Sequence, residues 1–212
     1  MHKGRFITIE GTEGVGKTTN IEFIKSYLHD QNINIIVTRE PGGTELGEAI
    51  RGLLLGHTYT GMSSDTELLL MFAARAEHLD KVIKPAIAKG DWVLCDRFTD
   101  ATYAYQGGGR GINQQRIAIL EEWVQGELRP DATLLLDIDI EKGLERAGKR
   151  SAPDRFEKEK HAFFERVRNC YLERSRNDAQ RFHVIDASKD LDAVQQQIQN
   201  SLDQLLSGLG NK

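Results

Sequence analysis

The 212-residue chain has little of several features that would set it apart from ordinary globular proteins. It contains only two cysteines, Cys95 and Cys170, which are too few for a disulfide framework. No apolar run approaches the roughly 20 residues that a membrane-spanning helix needs. The net charge of −4 argues against a general nucleic-acid-binding protein, because such proteins are usually basic.

Linkers, repeats and targeting signals are also missing from the sequence. The four prolines are scattered, and the first residues lead directly into a strand-like segment instead of a signal-peptide core. A hydrophobic content of 39% with 28% charged residues is typical of a domain with a substantial core. We therefore expect one domain over residues 1–212, a cytoplasmic location, and no nucleic-acid or membrane partner.

The most informative feature that is present is a phosphate-binding P-loop. A glycine-rich segment follows a β-branched apolar run and precedes a helix-patterned segment, which is the context in which backbone N–H groups surround a phosphate chain. Lys17 is expected to reach the outer phosphates, and the Thr18 hydroxyl to bind Mg²⁺. The residues predicted to contact ATP are Gly11, Thr12, Glu13, Gly14, Val15, Gly16, Lys17 and Thr18.

Strand-like and helix-like segments alternate along the whole chain. The predicted strands are 6–10, 33–38, 92–96, 132–138 and 182–186, and the predicted helices are 17–31, 45–55, 65–89, 113–126, 141–149, 157–177 and 191–206. This alternation predicts an α/β fold with a parallel sheet covered on both faces. Ligands in such folds bind at the loops that follow the carboxyl ends of the strands.

Charged residues stand at those loops. Arg39 and Glu40 follow the second strand, where Arg39 is either an anion clamp or an ordinary surface charge. Asp96 ends the third strand, where a carboxylate can orient the water shell of a metal. Arg97 follows it and suits a second phosphate, unless the two residues merely pair with each other.

Two further clusters suit a nucleotide ligand. The basic stretch from Arg146 to Arg155 is either a solvated loop or a lid whose cations stabilise a transferring phosphoryl group. On the long helix, Phe72 and Arg75 share a face on which a planar base can stack beside a guanidinium. The alternative for Phe72 is a place in the core, which is more usual for an apolar stripe.

The P-loop, the Phe72…Arg75 helix, and the segments Arg39–Thr44, Asp96–Phe98 and Tyr105–Gly111 together resemble the bacterial thymidylate kinases. The similarity covers essentially the whole chain. It implies a three-layer P-loop NTPase fold with a five-stranded parallel sheet and a short lid at about residues 147–157. It also implies phosphorylation of dTMP by ATP in dTTP biosynthesis, with Mg²⁺ as cofactor and a homodimeric assembly.

The resemblance also implies substrate contacts. An aromatic ring stacks on thymine, a role that Phe72 matches, although the usual family spacing to the arginine would select Met71 instead. Arg75 would contact a thymine carbonyl, and Tyr105 would crowd the 2′ side of the sugar. The predicted substrate-binding residues are Arg39, Glu40, Arg51, Phe72, Arg75, Arg97, Thr102, Tyr105 and Gln106, with Arg51 and Arg97 near the acceptor phosphate.

Catalytic roles follow from the same resemblance. One class of these kinases has a catalytic arginine in the P-loop, at the position where this chain has Gly14. The other class supplies the catalytic cation from the lid, and Arg150 matches that role here. Arg155 stands close behind, and Lys149 is a competing donor. The predicted catalytic residues are Glu13, Lys17, Arg97, Arg150 and Arg155, and the predicted metal-binding residues are Thr18 and Asp96.

Two other functions remain open from the sequence. One is a different P-loop nucleoside or nucleoside-monophosphate kinase, which substrate preference would distinguish. The other is a GTPase-like switch without a small-molecule acceptor, although the Asn-Lys-x-Asp motif that reads guanine is absent from the sequence.

Overall fold

Five parallel strands form the centre of the computed structural model, which describes residues 4–59, 61–148, 155–156 and 159–207. The strands are β1 (Phe6–Glu10), β2 (Ile35–Arg39), β3 (Trp92–Asp96), β4 (Ala132–Asp137) and β5 (Phe182–Asp186). They pair in the order β2-β3-β1-β4-β5, and every pair is parallel. The predicted α/β fold class is therefore confirmed.

Helices cover both faces of this sheet. They are α1 (Lys17–Asp30), α2 (Glu45–Leu55), α3 (Ser64–His78), α4 (Lys84–Lys89), α5 (Thr99–Thr102), α6 (Gln114–Gln125), α7 (Ile140–Ala147), α8 (His161–Asn177) and α9 (Leu191–Ser207). Two π-helical segments, Leu79–Ile83 and Tyr103–Gly109, continue α3 and α5. No helix within the described residues is long and apolar enough to cross a membrane.

The core lies on both sides of the central strands because these strands are largely apolar, with Thr8, Glu10 and Thr133 as buried polar exceptions. Ile7 and Ile9 of β1 pack on one face with Ile24 of α1 and Ile198 of α9. Phe6 of β1 belongs to the opposite face, where it packs among residues of β3 and α4. Burial on both faces explains why apolar residues predominate in these strands instead of alternating with exposed polar residues.

The predicted helix at 65–89 is one helical path with a local widening. The π-helical segment ends two residues before Pro85, which has no N–H to donate and whose ring would clash with a preceding carbonyl. The π-helical turn contains one extra residue in its hydrogen-bonding pattern, which accommodates the hydrogen bond that Pro85 cannot make. The sequence predicted the helix but not this widening.

A helical segment at 99–109 was not predicted, because three consecutive glycines there favour a loop. Its packing against α8 explains the difference. A Cβ on Gly109 would lie 2.4 Å from the Phe163 ring, and one on Gly108 would lie 2.8 Å from the Cys170 Cβ. The glycines therefore permit a close approach of two helices, and tertiary packing overrides their weak helix propensity.

Candidate active site

The P-loop connects β1 to α1 at the carboxyl edge of the sheet. Gly14 and Gly16 adopt left-handed conformations with φ of 71° and 92°, and a Cβ on Gly14 would lie 1.9 Å from the Gly143 carbonyl oxygen. Lys17 is buried, with Nζ 3.4 Å from the carbonyl oxygens of Gly11 and Thr12. These contacts are long, so the ammonium keeps donors for a stronger acceptor such as phosphate.

Asp96 and Thr18 are the residues predicted to bind a metal. Oδ1 of Asp96 is buried and has no hydrogen-bond partner within the described part of the chain, whereas Thr18 is exposed at the start of α1. The described residues contain no cluster of three or more His, Cys, Asp or Glu side chains that could hold a metal. One hydroxyl and one carboxylate fit Mg²⁺, which usually takes most of its ligands from phosphates and water.

Arg97 joins the P-loop to the loop after β3. Its Nη2 donates to Oε1 of Glu13 at 2.7 Å and to the Tyr105 hydroxyl at 2.9 Å. Burial alone would raise the pKa of Glu13, but Arg97 and then Lys17 hold it below its ordinary value. Burial raises the pKa of Tyr105 well above its ordinary value, so its hydroxyl stays protonated and donates to Glu13 at 2.9 Å. Glu13, Arg97 and Tyr105 therefore form one charged, hydrogen-bonded cluster beside the P-loop.

A cleft of about 220 Å³, called the central cleft here, opens beside this cluster. Its walls come from the P-loop, the β2 and β3 loops, α2, α3, the helical segment at 99–109 and Phe156. The lining residues are Glu13, Glu40, Pro41, Arg51, Leu55, Met71, Arg75, Arg97, Phe98, Ala101, Thr102, Tyr105, Gln106 and Phe156. Three arginines, Arg51, Arg75 and Arg97, belong to this wall, and Arg51 donates to the Pro41 carbonyl at 2.9 Å.

Arg75 lies in the same wall and is almost completely buried. Its Nε donates to Oε2 of Glu40 at 2.7 Å, and its Nη2 donates to the Thr102 hydroxyl at 2.9 Å. His78 supports Glu40 from the other side through Nδ1 at 3.0 Å. Nη1 of Arg75 has no partner among the described residues. A buried guanidinium N–H without an acceptor indicates a place where a ligand oxygen is expected.

Two residues that were predicted to contact the substrate, Phe72 and Arg39, are not part of the wall of the central cleft. Phe72 is only 2% exposed within a core cluster, under the Arg75 guanidinium at 4.7 Å, and Met71 takes its place on the wall of the central cleft. Arg39 is absent from that wall, because its Nη2 pairs with Glu48 at 2.9 Å on the surface. This pairing fits the alternative of an ordinary surface charge, and a substrate contact by Arg39 stays a prediction.

The predicted lid cations have different outcomes. Arg150 and its competitor Lys149 lie outside the described residues. Arg155 is described, and its guanidinium is buried against α2 and α3: Nε donates to the Leu54 carbonyl at 2.7 Å and Nη2 to Glu67 at 2.5 Å. Both contacts hold Arg155 beside α2 and α3, next to Phe156 of the cleft wall, and its role at the transferring phosphate stays a prediction.

The residues of this region that sequence reasoning missed include Glu67, His78 and Phe156. Glu67 and His78 lie on the same face of α3 as Met71 and Arg75, because the four are separated by four, four and three positions. That spacing was available in the sequence. Phe156 had no such signal, since it stands next to Arg155 in a stretch without periodicity.

A parallel sheet of order 2-3-1-4-5, with a P-loop between its first strand and first helix, defines a P-loop NTPase. The sequence model of the Thymidylate kinase family matches residues 9–198. The chain belongs to the thymidylate kinase family.

Individual relatives are similar over nearly the full length. A thymidylate kinase of Pseudomonas savastanoi pv. phaseolicola is 58% identical over 203 residues, which cover 96% of this chain and 97% of the relative. One from Pseudomonas entomophila is 58% identical over 206 residues, covering 97% and 96%. A crystal structure of thymidylate kinase from Ehrlichia chaffeensis is 34% identical and covers 94% of this chain and 98% of its own, with a TM-score of 0.77.

Proposed function

We propose that this chain transfers the γ-phosphoryl group of ATP, bound with Mg²⁺ at the P-loop, to the phosphate of dTMP in the central cleft. Membership of the thymidylate kinase family supports the reaction. The observation that carries the substrate assignment is Nη1 of Arg75, which is buried without a partner in the described part of the chain while Glu40 and Thr102 fix the rest of the guanidinium. A pyrimidine carbonyl oxygen supplies the missing acceptor.

Arg97 and Arg51 are proposed to bind the acceptor phosphate. Both line the central cleft, and Arg97 contacts Glu13 within the P-loop, so a phosphate held there lies next to the donor. The acceptor oxygen is anionic at neutral pH, and the transfer needs no strong general base. Catalysis then consists of in-line positioning and neutralisation of charge.

Lys17 and the P-loop amides are proposed to hold the donor phosphates. Thr18 and Asp96 are the side chains that would hold Mg²⁺, directly or through water, and the ion when bound neutralises charge on the phosphates. Glu13 keeps Arg97 and the Tyr105 hydroxyl in place through its two hydrogen bonds. The Tyr105 ring is proposed to crowd the 2′ side of the sugar and so to favour deoxyribose.

The lid remains a proposal at residues 147–157. Arg150, which lies outside the described residues, is proposed as the cation that neutralises charge on the transferring phosphoryl group. Arg155 is proposed instead to support the wall of the central cleft. We also keep the prediction of one domain over residues 1–212 and of a cytoplasmic location.

A homodimer is proposed on α3 and α6, which pack side by side and carry exposed apolar side chains. Leu69 is 57%, Ile119 63% and Trp123 81% exposed, and Ile119 and Trp123 are four positions apart on one helical face. Sedimentation of Trp123→Glu tests this, because a charge at the centre of a subunit contact is expected to give monomers. An unchanged dimer mass in the variant would place the interface elsewhere. A monomeric mass for the unmodified chain would contradict the homodimer.

Phosphorylation assays with purified protein, ATP and Mg²⁺ test the reaction, using dTMP, dUMP, UMP, dCMP and thymidine as acceptors. We expect dTDP formation with dTMP as the preferred acceptor, and loss of activity on chelation by EDTA with recovery on adding Mg²⁺. Preference for a monophosphate without the thymine methyl group would contradict the assigned pocket. ATP hydrolysis as fast without acceptor as with dTMP would favour a switch-like protein instead.

A further inference from the structure

A buried carboxylate on α3 receives hydrogen bonds from three side chains, which belong to two segments that are distant from it in the sequence. Oε1 of Glu67 accepts from Nε2 of Gln106 at 2.9 Å and from Nε of Arg110 at 3.3 Å. Oε2 accepts from Nη2 of Arg155 at 2.5 Å. Glu67 is 1% exposed, and two guanidiniums stabilise its charge in this position.

This contact fixes the orientation of the Gln106 carboxamide. An ionised carboxylate only accepts hydrogen bonds, so the amide must direct its NH₂ group toward Glu67. The carbonyl oxygen Oε1 then remains for the central cleft, whose wall contains Gln106. The reversed amide would place two acceptor oxygens against each other in a buried site, which is strongly unfavourable.

We infer that Glu67 is a positioning residue for base specificity, which acts through Gln106. The inference rests on the proposed function, in which a pyrimidine occupies this end of the cleft. Arg75 then offers a donor and Gln106 an acceptor. A thymine ring presents the complementary set, a carbonyl at C4 and an N–H at N3, whereas cytosine presents an amino group at C4 and an acceptor at N3. Glu67 thereby excludes cytosine without touching the base.

Glu67→Gln tests this because the variant changes hydrogen-bond chemistry while keeping shape. The new amide has only one acceptor oxygen, and Arg155 is expected to take it, since Arg155 is more buried and Arg110 has a second partner in Glu159 at 2.5 Å. The new NH₂ group then faces Gln106, whose carboxamide must turn over. The Gln106 carboxamide then presents its NH₂ donor to the base instead of its carbonyl acceptor.

The measured quantity is the ratio of kcat/KM for dCMP to that for dTMP. We expect the ratio to rise about tenfold in Glu67→Gln, mainly through a higher KM for dTMP, with the KM for ATP nearly unchanged. Glu122→Gln on α6 is the matched control, because Glu122 is exposed and the same substitution there should leave the ratio unaltered. A purely structural role for Glu67 would lower activity on both acceptors together.

Gln106→Met completes a double-mutant cycle. If Glu67 acts through Gln106, adding Glu67→Gln to Gln106→Met changes the ratio no further.

Glu67→Asp is the second variant, in case Glu67→Gln fails to fold. It keeps the charge for both arginines but withdraws the carboxylate from Gln106 by one methylene, so the ratio should still rise. An unaltered ratio in the folded Glu67 variants, or additive effects in the cycle, would overturn the inference. Absence of dTMP turnover by the unmodified chain would instead overturn the proposed function.

Discussion

Nη2 of Arg97 lies 2.7 Å from Oε1 of Glu13, and the Arg97 backbone adopts a left-handed conformation with φ of 66°. Such a conformation is unfavourable for a residue with a long side chain and is kept only where surrounding contacts impose it. The Arg97 N–H bonds to the Ile9 carbonyl at 3.0 Å, and the next N–H, of Phe98, bonds to Glu10 at 2.7 Å. The end of β1 therefore holds the backbone that directs Arg97 toward the P-loop.

Arg97→Ala is expected to lower kcat/KM for dTMP by about 10²-fold or more, because the acceptor phosphate loses its cation and its alignment. Arg97→Lys should recover little of this activity, since an ammonium lacks the planar fork whose other nitrogens can contact a phosphate while Nη2 stays with Glu13 and Tyr105. Steady-state kinetics with each substrate varied separately would show it. A KM for ATP that rises as much as the KM for dTMP would instead assign Arg97 to the donor side.

Met71 and Phe72 are expected to respond in opposite ways to truncation. Met71→Ala removes a side chain from the wall of the central cleft and should raise the KM for dTMP several-fold with a small effect on stability. Phe72→Leu should lower the free energy of unfolding by about 1 kcal/mol or more, because it leaves a void in the core, while the KM for dTMP changes less. Urea unfolding and dTMP kinetics on both variants distinguish these roles. The reverse pattern would return Phe72 to the base site.

The fold and the P-loop were predictable because their signals are local. Apolar runs of strand length, a glycine-rich loop at fixed spacing and a following amphipathic segment each depend on neighbouring residues only. The position of Arg155 was not predictable in this way. Its cationic neighbours indicated a lid, but its partners are Leu54 and Glu67, which lie far away in the sequence.

The α3 side of the central cleft was predictable from helical periodicity. Glu67, Met71, Arg75 and His78 share one face of α3, so the sequence contained the evidence that polar groups and Met71 face the same region. What it lacked was the identity of the facing elements. The helical segment at 99–109, which supplies Thr102 and Gln106, was hidden by three glycines whose packing role appears only with α8 in place.

Tyr105 offers a test of sugar discrimination in which the ring and the hydroxyl are separated. Tyr105→Phe keeps the ring but removes hydrogen bonds to Arg97 and Glu13, so kcat for dTMP should fall while the preference for deoxyribose is retained. Tyr105→Ala removes the ring and should raise the relative kcat/KM of the ribonucleotide analogue of dTMP by about tenfold. Comparable gains for that analogue in both variants would assign the discrimination to the hydroxyl.

Glu10 makes stability depend on pH in a predictable direction. Burial, reinforced by the carboxylate of Asp100, raises the pKa of Glu10 from 4.5 to about 7. Between these two pH values the folded chain binds more protons than the unfolded chain, so this contribution to stability is fully present below pH 4.5 and is lost as the pH rises through about 7. The pKa of Asp100 is lowered below 3.8 despite its burial, chiefly by Arg174, so its own contribution is lost only in more acidic solution.

Glu10→Gln should remove this dependence, since the amide cannot ionise. Its carbonyl can still accept from the Phe98 N–H, and its NH₂ group can donate to the Tyr171 hydroxyl that now donates to Glu10 at 2.7 Å. In urea unfolding at pH 5, 6, 7 and 8, the free energy of unfolding of the variant should rise relative to that of the unmodified chain by at most about 1.4 kcal/mol per pH unit, and this rise should end above pH 7.

Glu122→Gln, an exposed control, should follow the unmodified chain throughout. Parallel curves for Glu10→Gln and the unmodified chain would mean that Glu10 is ionised over this whole range, with its charge stabilised by the two hydrogen bonds.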